Sequence, residues 1–230
     1  MYNIIEIIIQ SLFRLIGFGW GGPRTVTNEV RYVKSIIKEG SVFIDCGGNI
    51  GNYSDEIIKN FNNPEIHIFE PSLKNSDILL KRFRKNNVKI NNVALSNKTS
   101  DSVLFSNEIG SGLASLTKRK LDHLHIDFNI EEEIKVIQFK DYWDKQIDSK
   151  FIDLFKIDVE GHEMDVLEGI GDKISNIKLI QFEFGGCNID TRSFFQDFWY
   201  FFNDHNFKIF RISPFGLVEL KRYKEIYEHF

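Results

Sequence analysis

Residues 42–54 read VFIDCGGNIGNYS, an apolar run that is followed by three closely spaced glycines and a helix-like pattern. This order predicts a buried strand and a tight turn into a helix, whose free backbone N–H groups bind anions. In open α/β sheets, ligands bind beyond the carboxyl ends of the strands, where Asp45, Gly47 and Gly51 stand here. Glu70 ends the next predicted strand, at the spacing typical of a carboxylate that holds a ribose. The stretch therefore predicts a nucleotide-containing ligand.

The glycine pattern narrows the identity of that ligand. A dinucleotide fingerprint, G-x-G-x-x-G, would need glycines where Asn49 and Asn52 stand, and no G-K-[ST] follows for a Walker loop. S-adenosylmethionine fits better, because its amino group needs an acceptor and its carboxylate needs backbone donors. The alternative is that the glycines merely make a tight turn and that Glu70 is a solvated strand end. We favour the cofactor because Glu70 has the expected spacing.

The rest of the chain alternates predicted strands and helices, which indicates one doubly wound, mostly parallel α/β domain. Further strands are predicted over 65–70, 88–95, 99–106, 133–139, 151–159 and 177–184. Helices are predicted over 52–61, 73–86, 162–168 and 193–203. An antiparallel C-terminal hairpin is predicted over 207–212 and 217–220. We divide the chain into an N-terminal helical extension (1–28), the main domain (29–222) and a C-terminal tail (223–230).

A second chemical signal is the segment LFKIDVEGHEMDVLEGIG, which starts at Leu154. Alternation along the strand places Lys156, Asp158 and Glu160 on one side, and the chain then turns at Gly161 into a helix. Carboxylates at the end of an inner strand are costly unless they pair, cap a helix or take part in catalysis. Capping explains one of them, but it does not easily explain the whole set of Asp158, Glu160, His162 and Glu163.

Composition excludes several classes of protein. With 29 Lys+Arg and 33 Asp+Glu the formal charge is −4, which argues against a dedicated nucleic-acid binder. Two cysteines, Cys46 and Cys187, cannot form a disulfide framework and fit a reducing compartment, so we expect a cytoplasmic protein.

The N-terminal stretch is apolar enough to raise the question of a membrane span. Glu6, Gln10 and Arg14 interrupt it at four-residue spacing, which predicts an amphipathic helix with a broad apolar face. A span needs roughly 20 mostly uncharged residues, and the stretch falls short of that. We expect the helix to pack on the domain or on a second copy in a homodimer. Weak contact with a membrane surface through residues 3–18 is the alternative.

Five motifs together resemble the FkbM-type S-adenosylmethionine-dependent methyltransferases. They are IDCGGNIG (44–51), IFEPS (68–72), NVAL (92–95), KIDVEGHE (156–163) and VLEGI (166–170). The resemblance implies a seven-stranded, Rossmann-like class I methyltransferase sheet and transfer of a methyl group to a hydroxyl oxygen. The implied acceptor is a small hydroxylated metabolite, a glycan or a glycolipid, and no nucleic-acid partner is expected.

Residue by residue, the resemblance implies two sets of site residues. The cofactor would be held by Asp45, Gly47, Asn49, Gly51, Glu70, Pro71, Ser72, Asn92, Val93, Ala94 and Asp158. Asp158 and Glu160 would lie near the sulfonium and the acceptor. Because His162 clusters with them, the candidate catalytic residues are Asp158, Glu160 and His162. A hydroxyl is a poor nucleophile, so a general base should remove its proton, and neutral His162 has a suitable pKa near pH 7. We expect Asp158 and Glu160 to be essential and treat His162 as a candidate base.

Two other functions stay open, namely a methyltransferase that acts on nucleic acid or an amine, and a catalytically silent protein with the same fold. We predict no metal centre, although Asp158 with Glu183, or His123 with His125 on one side of an extended segment, could bind an ion. The irregular stretch 107–132 is suited to shaping an acceptor pocket. Trp199 and Trp20 are candidate sugar contacts.

Overall fold

In the computed structural model, which describes residues 2–19, 21 and 24–229, strands and helices alternate along most of the chain. The described residues form ten strands: β1 (Val42–Cys46), β2 (Glu65–Phe69), β3 (Val88–Asn91), β4 (Ala94–Leu95), β5 (Ser100–Ser106), β6 (Ile130–Ile137), β7 (Ile152–Ile157), β8 (Ile177–Phe182), β9 (Ile209–Ser213) and β10 (Gly216–Leu220). They also form eight α-helices: α1 (Tyr2–Leu15), α2 (Val26–Ile36), α3 (Asn52–Asn60), α4 (Leu73–Arg82), α5 (Phe139–Gln146), α6 (Glu163–Ile170), α7 (Cys187–Thr191) and α8 (Phe195–Asp204).

The central sheet has five parallel strands in the order β3-β2-β1-β7-β8. Alternate side chains of β1 enter two different cores, as expected where helices cover both faces of a parallel sheet. Val42 and Ile44 pack with α5, α6 and α8, whereas Phe43 packs with α2, α3 and α4. The predicted α/β class with a mostly parallel sheet is confirmed. The order of the strands reverses between β1 and β7, where a ligand crevice forms in such sheets.

The seven-stranded sheet implied by the resemblance is not confirmed. Among the described residues, β9 and β10 pair with each other, and β4, β6 and β5 form a separate three-stranded sheet. The hairpin β9–β10 packs Ile209 and Leu220 against the main core, and the carbonyl oxygen of Ser213 accepts a hydrogen bond from Tyr32. The predicted antiparallel C-terminal hairpin is therefore present, but it is separate from the central sheet.

Two predicted strands have different limits in the structure. The predicted strand 88–95 is interrupted, because β3 belongs to the central sheet and β4 pairs with β6 instead. The predicted strand 133–139 ends at Ile137, because Phe139 begins α5 and is fully buried in the main core together with Trp143. Sequence patterns did not predict α2, α5 or α7.

The predicted amphipathic N-terminal helix is present as α1. The Ile and Leu side chains of residues 4–16 are exposed, and contact with the body of the protein comes from Phe13, which packs on Phe18 and His229. No helix among the described residues is long and apolar enough to cross a membrane. The structure thus contains the amphipathic helix, while homodimer formation and contact with a membrane surface stay predictions.

Candidate active site

The turn that follows β1 brings the glycine segment against the end of β7. Gly47 has a φ of +82°, and a Cβ at this position would lie 1.7 Å from the backbone oxygen of Asp158. The N–H groups of Gly47 and Gly48 both donate to the carbonyl oxygen of Phe69 at the end of β2. Gly47 is therefore required for close approach between two strand ends as well as for its backbone conformation.

Glu70 lies at the end of β2 and is only 6% exposed. Its Oε2 accepts a hydrogen bond from the backbone N–H of Asn49 at 2.8 Å, and its Oε1 accepts one from Ser72 at 2.9 Å. Burial raises the pKa of Glu70 to about 7, although these donors and the Asn75 amide act in the opposite direction. A carboxylate offers about four lone-pair positions, so Glu70 keeps acceptor capacity for a ligand.

Lys156 of β7 lies between two carboxylates, because the strand register pairs it with Asp45 of β1. Its Nζ lies 3.0 Å from Oδ2 of Asp158 and 3.6 Å from Oδ1 of Asp45. Although burial opposes it, the charges of Asp158 and Asp45 raise the pKa of Lys156. Burial would also favour neutral Asp158, but the Lys156 ammonium holds the pKa of Asp158 below its ordinary value. Asp158 is therefore a stable anion and a weak base.

Glu160 follows Asp158 in the turn between β7 and α6. Its Oε2 accepts a hydrogen bond from Nη1 of Arg119 at 2.7 Å, and no partner of Oε1 is found within the described part of the chain. Burial raises the pKa of Glu160 to about 7 despite the opposing charge of Arg119. A carboxyl with this pKa and a free oxygen is well matched to proton removal near neutral pH.

His162 is held at both ring nitrogens. Nδ1 lies 2.7 Å from Oδ2 of Asp165, and Nε2 lies 3.0 Å from Oγ1 of Thr117. Because both nitrogens already have hydrogen-bond partners, accepting a substrate proton would require breaking one of these contacts. The geometry favours a structural role for His162 over a role as the base.

These groups surround a crevice at the carboxyl ends of β1, β2 and β7. Residues 115–120, which we call the strap, belong to the segment between β5 and β6 and contact the turn at Glu160 and His162. The first two strap residues join the lining, and Phe69, Leu95 and Leu104 provide an apolar wall. Six predicted cofactor residues and all three predicted catalytic residues, with Asp158 in both sets, line this crevice: Gly47, Asn49, Glu70, Pro71, Ala94, Asp158, Glu160 and His162.

A comparison with protein-family models matches residues 45–209 to the Methyltransferase FkbM domain. The chain belongs to the FkbM methyltransferase family. No curated protein matches it in sequence. Among solved structures, it is similar to the crystal structure of PH1948 from Pyrococcus horikoshii, which is provisionally named an RNA methyltransferase. The sequence identity is 13%, 91% of each chain is covered, and the TM-score is 0.38, too low to support an inference about this chain.

Other predicted cofactor residues of this FkbM protein lie outside the crevice lining. Asp45 accepts a hydrogen bond from Ser54, and Gly51 begins α3 against the ring of Phe83. The side chain of Ser72 donates to Glu132, and Asn92 donates to the carbonyl oxygens of Glu70 and Pro71. Val93 packs against the main core. Direct contact of these five residues with a cofactor stays a prediction, and the structure shows them supporting the crevice wall.

Sequence reasoning assigned no role to three polar residues that organise the site. Arg119 reaches Glu160 from the strap, and Lys156 was noted only for its side of the strand. Glu163 is fully buried and its Oε1 accepts hydrogen bonds from the N–H groups of Val159 and Gly161, so it holds the turn in shape. The spacing of Glu163 just inside a helix start was an available signal. Arg119 offered none, because its contact joins segments 41 residues apart.

No group of three or more metal-binding side chains occurs among residues 2–19, 21 and 24–229. Glu183 hydrogen-bonds Asp158, whose charge raises the pKa of Glu183 to about 9. The expected extended segment at His123 and His125 is wrong, because the chain there forms a 3-10 turn with both side chains exposed. Trp199 packs against the main core, and Trp20 lies outside the described residues.

Proposed function

We propose that this FkbM family member is an S-adenosylmethionine-dependent O-methyltransferase that acts on a hydroxyl of a glycan, a glycolipid or a related metabolite. The observation that carries the proposal is the crevice itself, with Glu70 on one side and Asp158 and Glu160 on the other. One side fits a cofactor ribose, and the other fits a hydroxylated acceptor.

The residues of the cofactor side fit S-adenosylmethionine in donor and acceptor chemistry. Glu70 keeps acceptor capacity for ribose hydroxyls, the Gly47 turn brings backbone groups to the crevice, and Phe69, Leu95 and Leu104 offer apolar surface to an adenine ring. When bound, the cofactor supplies an electrophilic methyl group on a sulfonium. The enzyme must align the acceptor oxygen with that group and exclude water.

We assign the general base to Glu160. Its free Oε1 can take the proton of an acceptor hydroxyl while Oε2 stays bonded to Arg119. Asp158 is less suitable because Lys156 stabilises its anion, and His162 has both nitrogens engaged. Asp158 then acts as a fixed acceptor that orients a hydroxyl beside Glu160. Several carboxylates in one crevice favour a polyol over a phosphate-rich acceptor, because they would repel phosphates.

The test combines binding and transfer. Calorimetry with S-adenosylmethionine and S-adenosylhomocysteine should show binding to the full chain. Labelled methyl transfer to a panel of glycans, polyketides and RNA should give product with a hydroxylated acceptor. Asp158→Asn should abolish transfer and largely keep cofactor binding, whereas Asp77→Asn, at an exposed carboxylate of α4, should change neither. Absence of binding, or transfer to RNA alone, would reject the proposal.

A further inference from the structure

The strap is anchored before it reaches the acceptor side of the crevice. Ser115 pairs with Phe105 of β5 in an antiparallel bridge, in which their N–H groups and carbonyl oxygens bond at 2.8 and 3.0 Å. The strap therefore starts from a fixed point on the three-stranded sheet.

Alternate strap residues contact the turn between β7 and α6. The hydroxyl of Ser115 donates to the backbone oxygen of Glu160 at 2.8 Å, and Thr117 contacts His162 at 3.0 Å. Arg119 then reaches the carboxylate of Glu160 at 2.7 Å. The N–H of Thr117 also donates to the Ser115 hydroxyl at 3.2 Å, which helps to hold this part of the strap in shape. The strap thus binds both the backbone and the side chain of Glu160.

Arg119 is itself held from its far side. Its Nε lies 3.3 Å from Oδ2 of Asp190 in α7, and Oδ1 of Asp190 accepts a hydrogen bond from the N–H of Lys120. The Arg119 side chain is only 9% exposed. A planar guanidinium that joins two carboxylates has little rotational freedom, so it restricts the positions of both carboxylates.

The backbone at Glu160 also requires support. Glu160 has a φ of +54°, a conformation that is unusual for a residue with a side chain. The adjacent Gly161 is packed against α7, where a Cβ would lie 2.8 Å from Cγ2 of Thr191 and 3.0 Å from the oxygen of Cys187. The turn is thus confined between α7 and the strap.

We propose that Arg119 is a positioning residue: it holds one carboxylate oxygen of Glu160 and thereby presents the other to the acceptor hydroxyl. The inference rests on the proposed function, in which Glu160 is the base. Arg119 itself is not among the residues that line the crevice. Its effect on the reaction is therefore exerted through Glu160.

Removal of Arg119 should change the ionisation of Glu160 in a definite direction. An opposite charge within hydrogen-bonding distance lowers a carboxyl pKa by about 1–3 units, so Arg119→Met should raise the pKa of Glu160 by that amount. Asp190 loses the same partner in this variant, so its negative charge should act on Glu160 in the same upward direction. The other ionisable groups around Glu160 do not contact Arg119 through a hydrogen bond and should act the same way before and after the change. They are Asp158, Glu163, Glu183 and Cys187.

The experiment titrates Glu160 by carbon NMR in the full chain labelled at glutamate carboxyl carbons, with Glu160→Gln used to assign the signal. Arg119→Met should raise the pKa of Glu160 by at least one unit. In Arg119→Lys the pKa should stay close to that of the unmodified protein, because the positive charge is kept. Lys118→Met is the matched control, since Lys118 directly precedes Arg119 in the strap and its ammonium lies near Glu131 instead of Glu160. It should leave the Glu160 signal unchanged.

Transfer to the best acceptor of the panel provides the second readout. In Arg119→Met the acid limb of the pH profile should move up with the Glu160 pKa, and kcat should fall about tenfold or more while KM for S-adenosylmethionine stays unchanged. Arg119→Lys should recover the pH profile and only part of kcat, because an ammonium lacks the planar fork. If kcat recovers fully in Arg119→Lys, the positive charge by itself accounts for the effect of Arg119, and the positioning role is overturned.

The NMR titration separates failure of this inference from failure of the proposed function. An unchanged Glu160 pKa in Arg119→Met, or an equal shift in Lys118→Met, would overturn the inference even if the protein transfers methyl groups. Loss of cofactor binding by the unmodified protein would instead reject the proposed function. If Arg119→Met does not fold, Arg119→Gln, which keeps a polar side chain, replaces it in both readouts with the same expected direction.

Discussion

The two sides of the crevice are constructed differently. The cofactor side consists mainly of backbone groups in the turns at the ends of β1 and β2, with Glu70 bonded to N–H groups of Asn49 and Ser72. The acceptor side consists of side chains that meet from distant segments, such as Arg119 and Glu160. The first side is therefore fixed by the pairing of neighbouring strands and by the turns at their ends, and the second depends on the segment between β5 and β6. Substitutions on the two sides should accordingly change different measured quantities.

The largest expected effect is on the acceptor side. Glu160→Gln removes the base while keeping the size of the side chain, so kcat should fall by about 10²- to 10⁴-fold. The Kd for S-adenosylmethionine, measured by calorimetry, should stay within about twofold, since the cofactor contacts lie on the other side. Glu219→Gln, at an exposed position of β10, controls for loss of one negative charge. Comparable activity of the Glu160 variant and this control would remove Glu160 as the base.

The next effect belongs to the cofactor side. Glu70→Gln replaces a carboxylate that accepts two backbone hydrogen bonds by an amide with one acceptor oxygen. Hydrogen bonds to charged groups contribute about 1.5–3 kcal/mol, so Kd for S-adenosylhomocysteine should rise by about 10- to 100-fold. At saturating cofactor, kcat should change far less. A fall in kcat with unchanged Kd would contradict the division into two sides.

A smaller effect is the pH dependence of cofactor binding. Donors from a ribose favour the ionised form of Glu70, so binding should release a proton when the pKa of the free carboxyl is about 7. Affinity should then be highest above pH 7 and should fall about tenfold between pH 8 and pH 6. Calorimetry with S-adenosylhomocysteine measures this. The Glu70→Gln protein should show only the titration of the ligand itself, and the same slope in both proteins would disprove the role of Glu70.

The smallest effect is expected at His162. His162→Gln keeps one of two hydrogen bonds, so it should lower the free energy of unfolding by about 1 kcal/mol. We expect kcat to stay within about threefold and the pH profile of transfer to keep its midpoint. Thermal unfolding and the pH profile check these outcomes. A profile that becomes flat near neutral pH would restore His162 as the base.

The difference between the two sides also explains what the sequence could predict. The turn at Gly47, the carboxylate at Glu70 and the strand that ends in Asp158 follow from local patterns, because strand ends and glycine turns depend on adjacent residues. The relation of Arg119 to Glu160 depends on how the chain between β5 and β6 folds back. The two-residue spacing of Ser115, Thr117 and Arg119 is visible in the sequence, but the sequence does not show that Glu160 is the partner of Arg119.

The fold class was predicted correctly, and the details that were not predicted depend on contacts between distant segments. Phe139 continues the apolar pattern of the predicted strand 133–139, so the sequence does not show that it begins a helix. In the structure Phe139 and Trp143 are buried together as part of helix α5. The hairpin β9–β10 has the sequence pattern of sheet strands, yet pattern alone does not decide which edge a strand joins. Its contacts with the core and with Tyr32 place it apart from β8.

The close approach of Gly47 to the backbone of Asp158 has a consequence for how acceptor preference can change. Since no side chain separates the two turns, the distance between the Gly47 turn and the end of β7 is set by main-chain packing. Insertions or exchanges in the chain between β5 and β6 can therefore reshape the acceptor space without altering that distance. A protein engineer who wishes to change the proposed acceptor preference should diversify that segment and leave the meeting point of the two turns untouched.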